Sequence, residues 1–315
     1  MVKIVSYLVW FLLYAVSLLP LGFYYFLSDI MAWLLRRVFS YRKSVVTANL
    51  ARSFPELSYN ELRKIEKEYY KYMCDIMVES IWQVSATAKQ VCRIVEVEGV
   101  ELLDRMVAEH GKTVVLTGHR GNWELVGAIC GESEKRSKDS FANHPITVTY
   151  RIAKSKISNF LFEKMRMEIY RKFDNNGYIV GSKQFLRHVA KSKGSHTYIF
   201  IADQYPRMGG VPLKFLNQNT FFFDGAEAVA RKMNMPVLYL DMIRIERRRY
   251  KMVFSLISEN SAAMQKGEIT LAYARLLEEG IRKDKYNWLW SHKRWKRGFT
   301  EHDVEVCNEL CGNVG

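Results

Sequence analysis

"TVVLTGHRGNWELVGAIC", residues 113–130, decides the fold. Its first part is apolar without alternation, which suits a strand buried on both faces in a parallel sheet. Gly118 and Gly121 mark a sharp turn, and a helical apolar pattern opens at Trp123. The alternation recurs in both directions. Towards the N-terminus, "CRIVEVEG" (92–99) reads as a strand and "VELLDRMVAEHG" (100–111) as a helix. Towards the C-terminus the expected strands are 145–151, 177–180, 196–203, 236–246 and 249–258. Helices are expected at 156–172, 183–194, 226–234 and 269–284. Such a βα series implies an α/β fold with a mostly parallel central sheet flanked by helices. No linker-like stretch interrupts it. One domain, 41–300, is expected between a hydrophobic N-terminal anchor, 1–40, and a short tail, 301–315.

The anchor rests on "IVSYLVWFLLYAVSLLPLGFYYFLS" (4–28), which holds no charged residue. A spanning helix needs roughly 20 apolar residues. Pro20 and Gly22 break the run into a helix near 3–19 and another near 21–35. A spanning helix and an interfacial anchor bent at Pro20 both fit. Arg36, Arg37, Arg42 and Lys43 follow the run, so the bulk of the chain is expected on the cytoplasmic side of the membrane. A cleaved signal peptide fits less well, because a second apolar stretch comes next and no small-x-small site does. The net charge is +14, from 47 Lys and Arg against 33 Asp and Glu. With the anchor present, this excess points to lipid phosphate. No zinc-finger or RNP-type motif supports nucleic acid. The five cysteines carry no second pair of metal-ligand spacing, so no metal site is expected.

Between anchor and sheet, Ser58 and Glu61 form a capping box that predicts a long helix over 59–82. Leu62, Ile65, Tyr69, Tyr72, Met73, Ile76 and Ser80 mark its buried face.

His119 falls just past the carboxyl end of its strand, where open α/β sheets place their chemistry. Glu124 falls on the first turn of the next helix. The turn can fold that carboxylate towards the imidazole, giving a dyad whose free nitrogen acts as a base. The amides of Gly121, Asn122 and Trp123 at the helix start suit an oxyanion or phosphate. The bland alternative is an ordinary strand-to-helix turn that contains a histidine. No Ser or Cys nucleophile lies nearby, which favours direct attack by a substrate hydroxyl over a covalent acyl-enzyme. Arg151 and Asp203 end two further strands and belong to the same sheet edge. A guanidinium suits phosphate or a developing oxyanion. Asp203 suits orienting Arg151, holding an acceptor or binding a stray cation, with Gln204 beside it.

"HRGNWE" (119–124) resembles the H-x4-D/E motif of glycerolipid-type acyltransferases, in the form found in bacterial lipid A late acyltransferases. "NLARSFPEL" (49–57), "TYR" (149–151), "ADQ" (202–204), "FDGAEAVARKMNMPVLYLDMIR" (223–244) and "NWLWSHKRWK" (287–296) are similar to further blocks of that family. The resemblance covers about residues 1–297. It implies an enzyme that adds secondary lauroyl or myristoyl chains to a lipid A precursor. The implied donor is acyl-acyl carrier protein, with no other cofactor. It implies catalytic roles for His119, Glu124, Arg151 and Asp203. Arg120 departs from the family's usual aromatic, which puts a cation beside the base, to depress its pKa or to contact a phosphate.

The basic clusters "RIERRRYK" (244–251) and "KRWKR" (293–297) suit a phosphorylated glycolipid or an acidic carrier protein, with Arg244, His292, Arg294 and Lys296 as binding candidates. Phe221, Phe222, Phe223, Met233 and Met235 are candidates for an acyl groove. The competing functions are acylation of another lipid, thioester hydrolysis, and non-catalytic lipid binding.

Overall fold

The computed structural model describes residues 2–135, 144–150, 152–173, 177–181 and 184–312. Its strands are β1 (Val95–Glu98), β2 (Lys112–Thr117), β3 (Ile146–Tyr150), β4 (Tyr178–Gly181), β5 (His196–Ile201), β6 (Val211–Phe215), β7 (Gln218–Phe222), β8 (Val237–Glu246) and β9 (Arg249–Ser258). Seven of them form one sheet in the order β1-β9-β8-β2-β5-β3-β4, while β6 and β7 pair as a separate antiparallel hairpin. Strands β8, β2, β5, β3 and β4 run parallel. β9 returns antiparallel to β8, and β1 lies parallel to β9. The sheet is therefore mostly parallel, as the βα alternation implied.

The helices are α1 (Val2–Ser17), α2 (Leu21–Trp33), α3 (Lys43–Ser53), α4 (Tyr59–Trp82), α5 (Ala88–Cys92), α6 (Val100–His110), α7 (Lys156–Lys172), α8 (Phe185–Lys191), α9 (Gly225–Met233), α10 (Glu268–Lys283) and α11 (Glu301–Gly312). They cover both faces of the sheet. Val114 and Leu116 of β2 pack with Tyr198, Phe200, Val237 and Tyr239 against α9 and α10. Val115 faces the other way and packs with Ile199, Leu238 and Leu240 against α6 and Leu125. Burial of each such side chain stabilises the fold by about 1.5–3 kcal/mol.

The segment after β2, expected to be α-helical, is instead a 3-10 helix over Trp123–Lys135. Gly127 and Gly131 show how closely it packs on its neighbours. A side chain at Gly127 would collide with Ile169 of α7, and one at Gly131 with Cys92 and Phe173.

α4 starts where its capping box requires. The Ser58 hydroxyl accepts from the Glu61 amide, and the Glu61 carboxylate accepts from the Ser58 amide at 2.8 Å. The expected apolar face is buried or half-buried, but Glu66, Asp75 and Glu79 are buried beside it. Asp75 is paired with Arg244 at 2.6 Å and with Arg247 at 2.6 Å. Arg247 also reaches Asp29 of α2, so the basic cluster at 244–251, expected to meet a phosphorylated glycolipid or an acidic carrier protein, is partly an internal ion-pair network.

No single helix among the described residues is long and apolar enough to cross a membrane. α1 and the segment Leu21–Val38 together have the length and composition, but they are bent by 110° at Pro20. Phe11, Leu12, Phe23, Phe26, Ile30 and Trp33 are exposed along this pair. α1 also grips α7. The Lys164 ammonium lies 4.7 Å from the Trp10 ring centroid and 5.1 Å from that of Tyr7, and Tyr7 meets Phe160 edge-on at 5.1 Å. Each cation–π contact contributes on the order of 0.5–2 kcal/mol.

Candidate active site

Strand register builds the centre of the site. β2 and β5 are neighbours in parallel, with Thr117 opposite Ile201. His119 and Asp203 each stand two residues past that pair, so they emerge side by side at the carboxyl edge. His119 Nδ1 lies 2.5 Å from Asp203 Oδ1, and the His119 backbone N–H donates to Asp203 Oδ2 at 2.8 Å. Trp288 Nε1 donates to the same Oδ2 at 2.7 Å. Burial opposes ionisation of Asp203, but the His119 ring, its two hydrogen bonds and that of Trp288 prevail and hold the carboxyl down at about 2. An ionised Asp203 takes Nδ1–H, which leaves Nε2 as the acceptor. Gln204 Nε2 lies 3.2 Å from that nitrogen and can donate to it.

The expected His119–Glu124 dyad is not formed. Glu124 turns away to Arg166 of α7, which holds it with Nη2 on Oε1 at 2.6 Å and Nε on Oε2 at 2.8 Å. Trp123 Nε1 donates to the same carboxylate at 3.2 Å. Burial would raise the Glu124 pKa, but the bidentate guanidinium and the neighbouring His119 outweigh it, and the net shift is downwards. Both side chains line a cavity of about 790 Å³ shared with His119, Trp123 and Gln204. Its remaining wall is largely apolar and includes Val126, Val148, Ile169, Tyr170, Ile179 and Phe200.

Arg120 does not stand beside the base. Its side chain is 3% exposed, ion-paired to Asp241 and 3.6 Å from Asp284, and its backbone bridges to Trp288. Two carboxylates neutralise it behind the sheet edge, away from the cavity. Gly121 and Asn122 also have structural partners in place of a ligand. Gly121 has φ +57°, and a side chain there would collide with Met242. Its N–H donates to Asn287 Oδ1 at 3.2 Å. Asn122 donates to Glu79 at 2.7 Å and accepts the Glu124 N–H at 3.2 Å. Of the amides expected to be free at 121–123, that of Gly121 is therefore occupied.

Arg244 sits with Asp75, outside the cavity. His292 lies behind the site, where its Nε2 accepts from the Tyr205 N–H at 3.2 Å. Burial pushes His292 down to about 4, so it is a neutral acceptor at neutral pH. Arg294 is fully buried, donates to the Phe221 carbonyl at 2.7 Å and stacks 4.1 Å from the Phe222 centroid. Burial pulls its guanidinium down to about 10. Lys296 is exposed, 5.3 Å from the Tyr205 ring. Of the groove candidates only Phe223 lines the cavity; Phe221, Phe222 and Met235 are core, and Met233 is exposed at the surface. Arg151 lies outside the described residues.

Sequence reasoning missed Arg166, Trp288 as a donor, and Glu79. Arg166 had a signal, since it interrupts the apolar side of "FLFEKMRMEIY".

The arrangement is a carboxylate-oriented imidazole at the mouth of an apolar cavity, suited to removing a proton beside a long hydrocarbon group. The comparisons with known proteins agree in extent. The family described as bacterial lipid A biosynthesis acyltransferase matches residues 1–297. The chain is 22% identical over 280 residues to a lipid A biosynthesis palmitoleoyltransferase of Escherichia coli (strain K12), covering 88% of this chain and 86% of that one. Identity and coverage are the same for a lipid A biosynthesis acyltransferase of Shigella flexneri. A family match over nearly the whole length, on a chain whose strand ends converge on His119, settles the class: this chain belongs to the bacterial lipid A biosynthesis acyltransferase family and is an acyltransferase.

Proposed function

We propose that the protein transfers a fatty acyl chain from an acyl-acyl carrier protein thioester to a hydroxyl of a lipid A precursor, with His119 and Asp203 as the catalytic pair. The observation that carries this reading is the 2.5 Å His119–Asp203 contact at the wall of the 790 Å³ cavity. The acceptor hydroxyl takes the place of Gln204 at Nε2 and gives its proton to His119. Asp203 stabilises the imidazolium. The hydroxyl oxygen attacks the thioester carbonyl, a C–O bond forms and the C–S bond breaks. The imidazolium returns the proton to the departing thiolate. No covalent acyl-enzyme and no further cofactor enter this balance. Gln204, whose amide lies 3.2 Å from Nε2, then supplies a neutral donor for the developing oxyanion. The Glu124–Arg166 pair carries little net charge, so it stiffens the cavity wall without repelling an acyl chain.

The exposed apolar side chains of α1 and α2 support an interfacial anchor on the inner membrane, bent at Pro20, with the sheet on the cytoplasmic side. The exposed basic residues near α2 then face anionic headgroups.

The test is transfer of radiolabelled acyl chain from acyl carrier protein to a lipid A precursor in mixed micelles. Lysophospholipid and water serve as competing acceptors. Ester formation on the lipid A precursor, abolished by His119→Ala, is expected. Transfer only to lysophospholipid, or release of free fatty acid alone, overturns the acceptor assignment.

A further inference from the structure

The turn that carries His119 is held from behind by a carboxylate outside the cavity. Glu79 of α4 is fully buried. Its Oε2 accepts from Asn122 Nδ2 and from the Tyr250 hydroxyl, both at 2.7 Å. Its Oε1 accepts from the Tyr25 hydroxyl at 2.6 Å. These donors come from three separate elements: the turn after β2, strand β9 and helix α2. A buried carboxylate is costly unless its oxygens are satisfied, so the four groups order one another. Asn122 passes the constraint on, because its Oδ1 accepts the backbone N–H of Glu124 at 3.2 Å. Tyr72 of α4 adds a second tie by donating to the Gly121 carbonyl at 2.8 Å. The chain from His119 to Glu124 is therefore fixed from α4, and α4 is joined to α2 through the same carboxylate.

We propose that Glu79 is a positioning residue for acyl transfer: through Asn122 it holds the His119–Glu124 turn in register with Arg166, and through Tyr25 it couples that turn to helix α2. The proposal rests on the acyl-transfer reading above. Glu79 touches no substrate. Its action is to keep His119 Nε2 and the Glu124–Arg166 pair at fixed places on the cavity wall. Small displacements of such groups reduce turnover by up to about 10²-fold.

The experiment compares Asn122→Ala, Glu79→Met, the double variant, Glu79→Gln and Tyr25→Phe in the full-length protein. Turnover and hydrogen exchange of the amides at 119–125 are both measured. Asn122→Ala and Glu79→Met are expected to lower kcat by about 10- to 100-fold, with KM for both substrates within about 2-fold. The double variant should be no worse than the poorer single, because both act along one path. Glu79→Gln should stay within about 3-fold of wild type. Its carbonyl can still accept from Asn122 and Tyr250 while the Tyr25 hydroxyl turns to accept from its amide. Exchange at 119–125 should quicken in Asn122→Ala, Glu79→Met and Tyr25→Phe. Asn122→Ala keeps the test open if Glu79→Met does not fold. Wild-type kcat and exchange in Asn122→Ala would overturn the proposal, as would losses that multiply in the double variant or fall on KM alone. Unchanged exchange in Tyr25→Phe would overturn the coupling to α2. If the wild-type protein transfers nothing to a lipid A precursor, the functional reading fails, while the exchange measurement still decides whether Glu79 positions the turn.

Discussion

Asp203→Asn separates the two carboxylates that compete for the role of His119's partner. Asp203 Oδ2 accepts two donors, the His119 backbone N–H and Trp288 Nε1. An asparagine keeps those bonds only with its carbonyl oxygen at that position. Its NH2 then faces His119 Nδ1 at the present 2.5 Å contact and must donate to it. The ring is forced into the tautomer with hydrogen on Nε2, so the atom at the cavity can no longer accept a proton. General base catalysis is worth about 10²–10⁴ in rate, and the same tautomer reversal in a serine protease triad costs about 10⁴. The expected fall in kcat is therefore about 10³–10⁴, with an intact fold by circular dichroism because the side chain changes little in volume. The assay is steady-state acyl transfer from the carrier-protein thioester at neutral pH. A variant that keeps more than about one-tenth of wild-type kcat refutes the pairing, and so does a Glu124→Gln variant that falls as far.

Other outcomes follow from the same geometry. Arg166→Met leaves the Glu124 carboxylate unpaired in the cavity wall and should cost more activity than Glu124→Gln; the double variant should recover part of it, measured as kcat/KM. Arg120→Met should destabilise the protein by on the order of 3 kcal/mol, since it strands Asp241 and Asp284, and should leave KM for a phosphorylated acceptor unchanged; a KM rise without a fall in urea midpoint would restore a phosphate-reading role. Gly121→Ala meets both the +57° φ and the Met242 backbone, and should lose at least about 2 kcal/mol by the same measurement. The Asp203 carboxyl, held at about 2 against an ordinary 3.8, contributes about 2 kcal/mol that is fully present above the ordinary value and is lost as pH falls through about 2. The stability gap between wild type and Asp203→Asn should therefore narrow on acidification across that window; a constant gap in urea titrations would contradict it.

The sheet edge was legible in the sequence, and the pairing across it was not. Apolar runs ending in Gly118-His119 and in Ala202-Asp203 placed both residues at carboxyl ends. Their contact depends on β2 lying beside β5, a strand order set by packing between residues 84 positions apart, which no local pattern encodes. The H-x4-E spacing favoured Glu124 because closeness in sequence is visible and register is not. Arg120 misled for a related reason. A cation in a turn normally faces solvent, whereas this one is neutralised by Asp241 on β8 and Asp284 past α10, both distant in sequence. The α4 boundary, by contrast, rests on Ser58 and Glu61 alone, a local chemistry that the sequence carries in full.

The grip of α1 on α7 bears on how this protein can be handled. α7 supplies Arg166, Ile169 and Tyr170 to the cavity, and its outer side is clasped by Tyr7 and Trp10 around Lys164. Trimming the apolar N-terminal helix to gain solubility would strip the outside brace from one wall of the cavity. A shortened protein can therefore keep both residues of the His119–Asp203 pair and still have a loosened cavity wall. Detergent or a lipid nanodisc that shields α1 in place preserves the wall, and with it the shape in which catalysis should be measured.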